Sequence, residues 1–349
     1  MSSVGVTDAL RAIDRRALAD RFRARQRWSA ARADGGGPED WGERFRASGR
    51  LTVNMHPDRV DRNGRTVASG LAADGAYRSQ WATGISAGSR SAVSGGERQR
   101  FERELFDGAY DDVDPTSGKH PVYGALDLLF DEHGGSPRFG SSYLVLASHV
   151  RRRITFCLGD SHQAPRDVGT FDQPWSVLAG LAEQAQQGRL LDRPLDADVL
   201  RSVLSGGYRT KRATRDLDGY VEIQIHGGVS LAEDVEAVVL DPSFRGTEVE
   251  EHIRVNDGRF GVKLGWHCGS ELGIDDVPTD FRGPTMSTLA RQVAATDGVV
   301  HARAIGIAAA RINFKEPTPD GDSADSALQR LKYLWHTVLA HGHDAKPTG

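Results

Sequence analysis

The chain has few cysteines and no long apolar run, and each shortage excludes a class of protein. Two cysteines, Cys157 and Cys268, cannot build a disulfide framework or a metal cluster by themselves. No apolar stretch approaches the roughly 18 residues that span a bilayer, and the N-terminus lacks the apolar core of a signal peptide. We therefore expect a cytoplasmic protein without a membrane partner, with secretion without a cleaved signal as the alternative.

Familiar phosphate-binding and catalytic signatures are also missing. GxxxxGK[ST] and GxGxxG do not occur, so neither a P-loop nor a dinucleotide-binding Rossmann crossover is indicated. HExxH and CxxC are absent too, and we expect no metal. The net charge is only −4, which gives no general argument for binding nucleic acid. Any activity must therefore be read from less common groupings of residues.

What is present predicts an α+β domain, because short strands and helices alternate without the regular spacing of βαβ units. The predicted strands are LTVNM, SSYLVLAS, RRRITFCLG, GYVEIQIH, VEAVVLD and GVKLGWHC. The predicted helices are residues 8–32 with Thr7 as N-cap, ERQRFERELF, YGALDLLFDEH, QPWSVLAGLAEQAQQG, DADVLRSVLS, STLARQVAATDG and SALQRLKYLWHTVLAHG. This gives a basic helical arm (1–44), an α+β catalytic-type domain (45–310), and a linker, C-terminal helix and frayed tail (311–349).

One predicted strand carries a polar row. In VEIQIH, residues 221–226, the apolar residues alternate with Glu222, Gln224 and His226, the pattern of a strand with one buried face. The polar face is either a solvated sheet surface or the floor of an active site. It lacks lysine and arginine, and it ends in Gly227-Gly228, which lets a ligand or another backbone come close. These features favour the site.

Three further groups of polar residues lie in loops next to predicted strands, where rigid scaffolds present reactive groups. NMHPDR contains His56 and Asp58, although Pro57-Asp58 also suits a plain turn. YRSQWATGIS is rich in hydrogen-bonding groups, while its Trp81 suits a core anchor; the candidate ligand-binding residues are Tyr77, Arg78, Gln80, Thr83 and Ser86. The stretches RFGSS and GDSH add Arg138, Ser141, Ser142, Asp160, Ser161 and His162, with a structural turn as the alternative for GDSH.

Taken in order, these blocks resemble a known bacterial family. NMHPDR, YRSQWATGIS, GGERQRFERELFDGAY, PRFGSSYLVL, EIQIHGG, WHCG, FRGP and LKYLWH are similar to the domain-of-unknown-function family 3626 over about residues 48–340. That family implies one module and no particular reaction.

A weaker resemblance implies chemistry. SSYLVL, RITF, GDS, VEIQIHG and DVEAVV resemble segments of toxin-type domains with an ADP-ribosyltransferase-like fold, a split β-sandwich that holds NAD in a cleft. The resemblance implies that Glu222 is the catalytic carboxylate, with Gln224 beside it, and that His56 grips the cofactor from the first strand. Tyr77 then stacks on a ring of NAD, and Arg78 or Arg138 pairs with its pyrophosphate. A protein or nucleic acid is the possible acceptor of ADP-ribose.

Two other functions stay open at this point. His56 with Asp58, Asp160 with His162, Glu222 with His226, and His267 are possible ligands or acid–base groups of a hydrolase or nuclease. The basic first helix and the tryptophan-containing loops suit a binding module without catalysis.

Overall fold

The computed structural model describes residues 4–31, 38–61, 64–84, 92–208, 217–312 and 323–345. Its helices are α1 (Val4–Ala31), α2 (Pro38–Ala47), α3 (Val67–Asp74), α4 (Gln80–Thr83), α5 (Glu97–Leu105), α6 (Trp175–Gln186), α7 (Ala197–Leu204), α8 (Leu231–Asp234), α9 (Glu248–Phe260), α10 (Met286–Val293), α11 (Ala302–Ala310) and α12 (Ala324–His341). Its strands are β1 (Arg50–Met55), β2 (Ala76–Tyr77), β3 (Val122–Asp127), β4 (Ser142–Leu146), β5 (Ile154–Leu158), β6 (Val168–Thr170), β7 (Val221–Ile225), β8 (Val229–Ser230), β9 (Val235–Leu240), β10 (Lys263–Trp266), β11 (Glu271–Gly273) and β12 (Val299–His301).

Eight of these strands form one sheet in the order β10-β9-β4-β1-β3-β7-β5-β6. Neighbours in the sheet run antiparallel, except that β9 and β10 are parallel. The other four described strands pair two by two, β2 with β8 and β11 with β12. A large mixed sheet with helices between its strands confirms the predicted α+β class.

Strand β7 lies inside the sheet and is buried on both faces. Val221, Ile223 and Ile225 are fully buried in the large apolar core, as the alternation predicts. On the opposite face Glu222 is only 4% exposed and Gln224 only 1%. This face is therefore not a solvated surface. Its polar atoms depend on hydrogen bonds from neighbouring strands and loops, because water does not reach them freely.

The N-terminal helix is packed onto the domain rather than projecting from it. Trp28 is 2% exposed, and the Arg27 guanidinium bonds to two carboxylates, Asp167 at 2.8 Å and Glu183 at 2.7 Å. Part of the basic end of α1 is thus already neutralised within the chain. Among the described residues no helix has both the length and the apolar character needed to cross a bilayer.

Two sequence-based predictions of local structure are wrong. YGALDLLFDEH was expected to be a helix, but its first half belongs to strand β3, paired with β1 and β7 on either side. A short apolar run fits either structure, and the hydrogen bonds offered by two neighbouring strands decide it. Thr7 is not an N-cap, because α1 already begins at Val4.

Candidate active site

A cavity of about 410 Å³ lies beside the end of β1, the start of β3 and the middle of β7. Its other walls come from the segment that contains α3, α4 and α5, from the loop after β5, and from α12. Its volume lies within the range of pockets that hold small molecules and cofactors. The C-terminal helix, which the sequence assigns to a flanking segment, is therefore part of this wall through Gln329 and Lys332.

The fold brings together most of the residues that the sequence singles out. Six of the ten predicted site residues line the cavity, namely His56, Tyr77, Arg78, Gln80, Thr83 and Glu222. Asp160, Ser161 and His162 of the GDSH stretch line it as well. Gln224, Arg138 and Ser141 are not among its lining residues. Ser86 lies outside the described residues.

Glu222 is a buried acid whose carboxyl group reaches the cavity wall. Its Oε1 accepts a hydrogen bond from the Gln224 amide at 2.9 Å, and its Oε2 accepts a long one from the Ser161 backbone amide at 3.4 Å. Burial, reinforced by the nearby Asp160 carboxylate, raises the pKa of Glu222 to about 7. The group therefore changes charge close to neutral pH, which is typical of catalytic carboxyls and uncommon for structural ones.

Gln224 and His226 continue the polar row but lie behind the cavity. Gln224 accepts from Thr155 Oγ1 at 2.7 Å while it donates to Glu222, so it fixes the direction of that carboxyl group. His226 Nδ1 is 2.6 Å from the Tyr110 hydroxyl, and Nε2 is 2.9 Å from Thr155 Oγ1. Burial lowers the pKa of His226 to about 3, so it stays neutral. This position suits Gln224 to orienting Glu222, and the catalytic role of Gln224 stays a prediction.

The glycine pair after β7 forms a turn that another backbone approaches, since a Cβ on Gly228 would lie 3.4 Å from the Gly118 carbonyl oxygen. Gly227 and Gly228 have φ values of 86° and 80°, which only glycine adopts readily. They turn the chain from β7 into β8, and Arg153 donates to the carbonyl oxygens on either side of the turn. β8 in turn pairs with β2, which holds Tyr77 at the cavity.

His56 directly follows β1 and is held as a neutral ring. It is 7% exposed and meets Trp335 of α12 edge-on, with ring centroids 5.8 Å apart. Burial, together with the adjacent Arg59, keeps the pKa of His56 well below its usual value. A neutral imidazole donates one hydrogen bond and accepts another, so His56 suits the recognition of hydroxyl groups.

Two arginines that the sequence analysis passed over line the same cavity. Arg59 is 7% exposed, and among the described residues its Nε and Nη1 atoms have no hydrogen-bond partner. Arg98 Nε and Nη1 also lack one; its guanidinium lies 4.7 Å from the Tyr123 ring centroid. In the sequence Arg59 ends a turn and Arg98 belongs to a charged helix, so no local pattern predicts that these side chains are largely buried. Donors left without a partner at a cavity wall are available to an anionic ligand.

The arginines that the sequence favoured are already paired. Arg78 lines the cavity, but its Nε lies 2.9 Å from the Asp74 carboxylate. Arg138 forms an ion pair with Asp218 outside the cavity lining. On the opposite wall burial lowers the pKa of Lys332 to about 8, and the nearby Arg138 adds to the effect. Among the described residues, donors without a hydrogen-bond partner are thus found at the cavity on Arg59 and on Arg98, whose Nη1 also lies 3.6 Å from the Glu102 carboxylate.

A buried carboxylate behind the cavity holds this wall in shape. Glu102 of α5 is 2% exposed and accepts from the Trp81 indole at 3.0 Å and from the Tyr123 hydroxyl at 2.9 Å. His120 Nδ1 lies 3.4 Å from it, and Arg98 Nη1 lies 3.6 Å away. One acid therefore contacts four side chains, of which Arg98 and Tyr123 line the cavity.

We expect Glu102→Gln to lower the free energy of unfolding by about 3 kcal/mol, because it breaks a buried charged network and leaves donors without an acceptor. Urea denaturation followed by circular dichroism measures the change. Glu104→Gln, two positions later on the exposed side of α5, is the matched control and should change stability by less than about 0.5 kcal/mol. Equal effects of the two substitutions would contradict the role given to Glu102.

Comparison with known proteins gives the chain a family. The family model described as "Protein of unknown function (DUF3626)" matches residues 50–341, a range that includes all the described cavity residues. The chain is also similar to the "Gene 2 protein" of Mycobacterium phage L5, with 27% identity over 124 residues. That match covers 34% of this chain and 44% of the phage protein.

Proposed function

Since the chain belongs to the DUF3626 family, whose function is unknown, we propose an activity from the cavity itself: cleavage of the nicotinamide–ribose bond of NAD, with transfer of ADP-ribose to water or to another acceptor. One observation carries the proposal. A buried carboxyl group, whose pKa burial raises to about 7, shares a cavity with two arginines, Arg59 and Arg98, whose Nε and Nη1 atoms make no hydrogen bond among the described residues. A ligand that suits the two arginines carries anionic groups. A ligand that suits the carboxylate develops positive charge at its reacting atom during the reaction, and NAD does both.

The arginines suit the pyrophosphate of NAD. Phosphate oxygens accept several hydrogen bonds at once, and charge-assisted bonds to arginine are stronger than neutral ones. Among the described residues, Arg59 Nε and Nη1 and Arg98 Nε make no hydrogen bond, so these donors can meet such a group. Burial lowers the pKa of Arg59 because it disfavours the charged guanidinium. The negative charge of a bound anion offsets that effect.

Glu222 suits the reacting ribose. As the C1′–N bond breaks, its electron pair leaves with nicotinamide and the ribose becomes an oxocarbenium-like cation. A fixed carboxylate stabilises that charge, and a water molecule or acceptor hydroxyl then bonds to C1′ and loses its proton. Gln224 and Ser161 fix the carboxylate, so little reorganisation is needed during the reaction.

Other wall residues provide contacts of the right kind. The neutral His56 ring is suited to a ribose hydroxyl, and Tyr77 to stacking on a ring of the ligand. Among the described residues Gln80 Oε1 is buried without a hydrogen-bond partner, and the carboxamide of nicotinamide offers the donor that it lacks. An ADP-ribosyltransferase-like arrangement of the chain is part of this proposal.

The direct test is addition of NAD to the purified full chain. We expect calorimetry to show binding of one NAD per chain and chromatography to show release of nicotinamide. Nicotinamide mononucleotide, which lacks the pyrophosphate, is the matched ligand control and should bind at least about tenfold more weakly. A protein that neither binds NAD nor releases nicotinamide at millimolar NAD would contradict the proposal.

The same measurement decides between transfer and hydrolysis. With NAD as sole substrate, free ADP-ribose equal in amount to the nicotinamide indicates hydrolysis. ADP-ribose retained on an added protein or nucleic acid, detected by mass spectrometry, indicates transfer.

A further inference from the structure

A second cluster of reactive side chains lies away from the cavity. His133 belongs to the loop after β3, and His267 and Cys268 directly follow β10. One possible ligand atom from each lies within 4.8 Å of the others. None of the three lines the cavity. We infer that His133, His267 and Cys268 form a binding site for a zinc ion, distinct from the proposed NAD site.

The spacing of the closest pair matches zinc coordination. His133 Nε2 and Cys268 Sγ are 3.7 Å apart. Tetrahedral zinc with typical bond lengths to nitrogen and sulfur separates these atoms by about 3.6 Å. The three ligand atoms, which lie within 4.8 Å of one another, must move closer to share one ion, and His267 and Cys268 are only half-buried.

Both histidines have a partner on the ring nitrogen that would face away from the metal. His133 Nδ1 lies 3.6 Å from the Asp131 carboxylate, and His267 Nε2 donates to the Ser141 carbonyl oxygen at 2.7 Å. Such outer partners fix the ring orientation and tautomer of metal-binding histidines. They leave His133 Nε2 and His267 Nδ1 as the ligand atoms.

The hydrogen bonds made by these atoms change when the ion binds. The Gly269 amide donates to His267 Nδ1 at 2.9 Å, while His133 Nε2 donates to the Gly269 carbonyl oxygen at 3.1 Å and lies 3.1 Å from the Ser270 hydroxyl. Zinc replaces the amide at Nδ1, and binding releases the protons of the Cys268 thiol and of His133 Nε2. Ser270 or a water molecule is available as the fourth ligand, as in three-ligand zinc sites.

The chemistry of the three side chains favours zinc over other metal ions, and it favours a metal site over a thiolate–imidazolium pair that acts without a metal. Two imidazoles and a thiolate are ligands preferred by zinc, whereas calcium and magnesium take oxygen ligands. A reactive thiolate–imidazolium pair needs only one of the two histidines, and none of these residues opens into the described cavity. The sequence separates His133 from Cys268 by more than a hundred positions, which is why it predicts no metal.

The site would join parts of the chain that are distant in sequence. It ties the loop after β3 to the end of β10, and Ala345 near the C-terminus donates its backbone amide to the Cys268 carbonyl oxygen at 3.1 Å. Bound zinc should therefore stabilise the folded chain as a ligand of the native state.

The experiment uses the full chain purified without a histidine tag. We expect mass spectrometry to find about one zinc ion per chain after dialysis, and cobalt substitution to give a near-ultraviolet thiolate-to-cobalt absorption band. Cys268→Ala and His133→Ala should lose at least about nine-tenths of the metal and the band. Cys157→Ala, at the chain's other cysteine, should keep both.

A measurement on the unchanged chain guards against variants that fail to fold. Zinc should slow alkylation of Cys268 at least about tenfold, as followed by peptide mass spectrometry with a cysteine-free peptide of the same chain as internal reference. A chain that retains no zinc, a metal content unaffected by Cys268→Ala, or a Cys268 thiolate that is reactive with and without zinc would overturn the inference. None of these results bears on NAD binding, which is measured separately.

Discussion

Glu222→Gln is expected to reduce nicotinamide release from NAD by about 100-fold or more, because it removes the negative charge that stabilises the ribose cation. NAD should still bind, since Arg59 and Arg98 are untouched. Stopped assays of nicotinamide release at saturating NAD measure the loss. Glu236→Gln, an exposed glutamate on strand β9, is the matched control and should keep wild-type turnover.

The pH dependence gives this prediction a second readout. Because burial raises the pKa of Glu222 to about 7, the carboxylate fraction, and with it kcat/KM, should rise as pH increases through about 7 and then level off. A profile that is flat across this range, or equal turnover by Glu222→Gln, would remove Glu222 from the mechanism.

The free energy of unfolding should fall over the same pH range in which kcat/KM rises. The pKa of Glu222 is higher in the folded chain than in the unfolded one, so the folded state binds more protons between the two pKa values. The wild type therefore loses stability as pH rises from about 4.5 to 7, and Glu222→Gln does not suffer this loss. The variant should melt at the same or a higher temperature than wild type at pH 8. A large fall in melting temperature would mean that the amide disturbs the fold.

Arg59→Met is expected to weaken NAD binding by about ten- to one-hundredfold, the effect of losing charge-assisted hydrogen bonds to a buried phosphate. The same change should raise the melting temperature of the ligand-free protein. Removal of a buried guanidinium whose Nε and Nη1 have no partner among the described residues relieves a desolvation penalty. Calorimetric titration and thermal melts measure the two effects.

The control for Arg59 is an arginine on the surface. Arg254 of α9 is 62% exposed and pairs with Glu250 one turn earlier. Arg254→Met should change neither NAD affinity nor melting temperature appreciably. An Arg59→Met variant that binds NAD as tightly as wild type would show that the orphaned donors do not serve the proposed ligand, even if nicotinamide release persists.

The sequence by itself determined the α+β class, most of the strands and several residues of the cavity wall. These features depend on local patterns: alternation in VEIQIH placed strand β7, and loops rich in polar residues next to strands marked His56 and the segment of Tyr77. Alternation also fixed which residues of β7 share a face, since that follows from backbone geometry alone. It left open whether the polar face meets water.

Only the tertiary structure decided which of these groups act together. Burial of β7 on both faces separated Glu222, at the cavity, from Gln224 and His226 behind it. The pairing of β1 and β7 with β3 made a strand of a segment whose local pattern suggested a helix. The burial of Arg59 and the approach of His133 to Cys268 arise from contacts between residues far apart in the chain. Desolvation and proximity are properties of that packing, and no local pattern of residues encodes them.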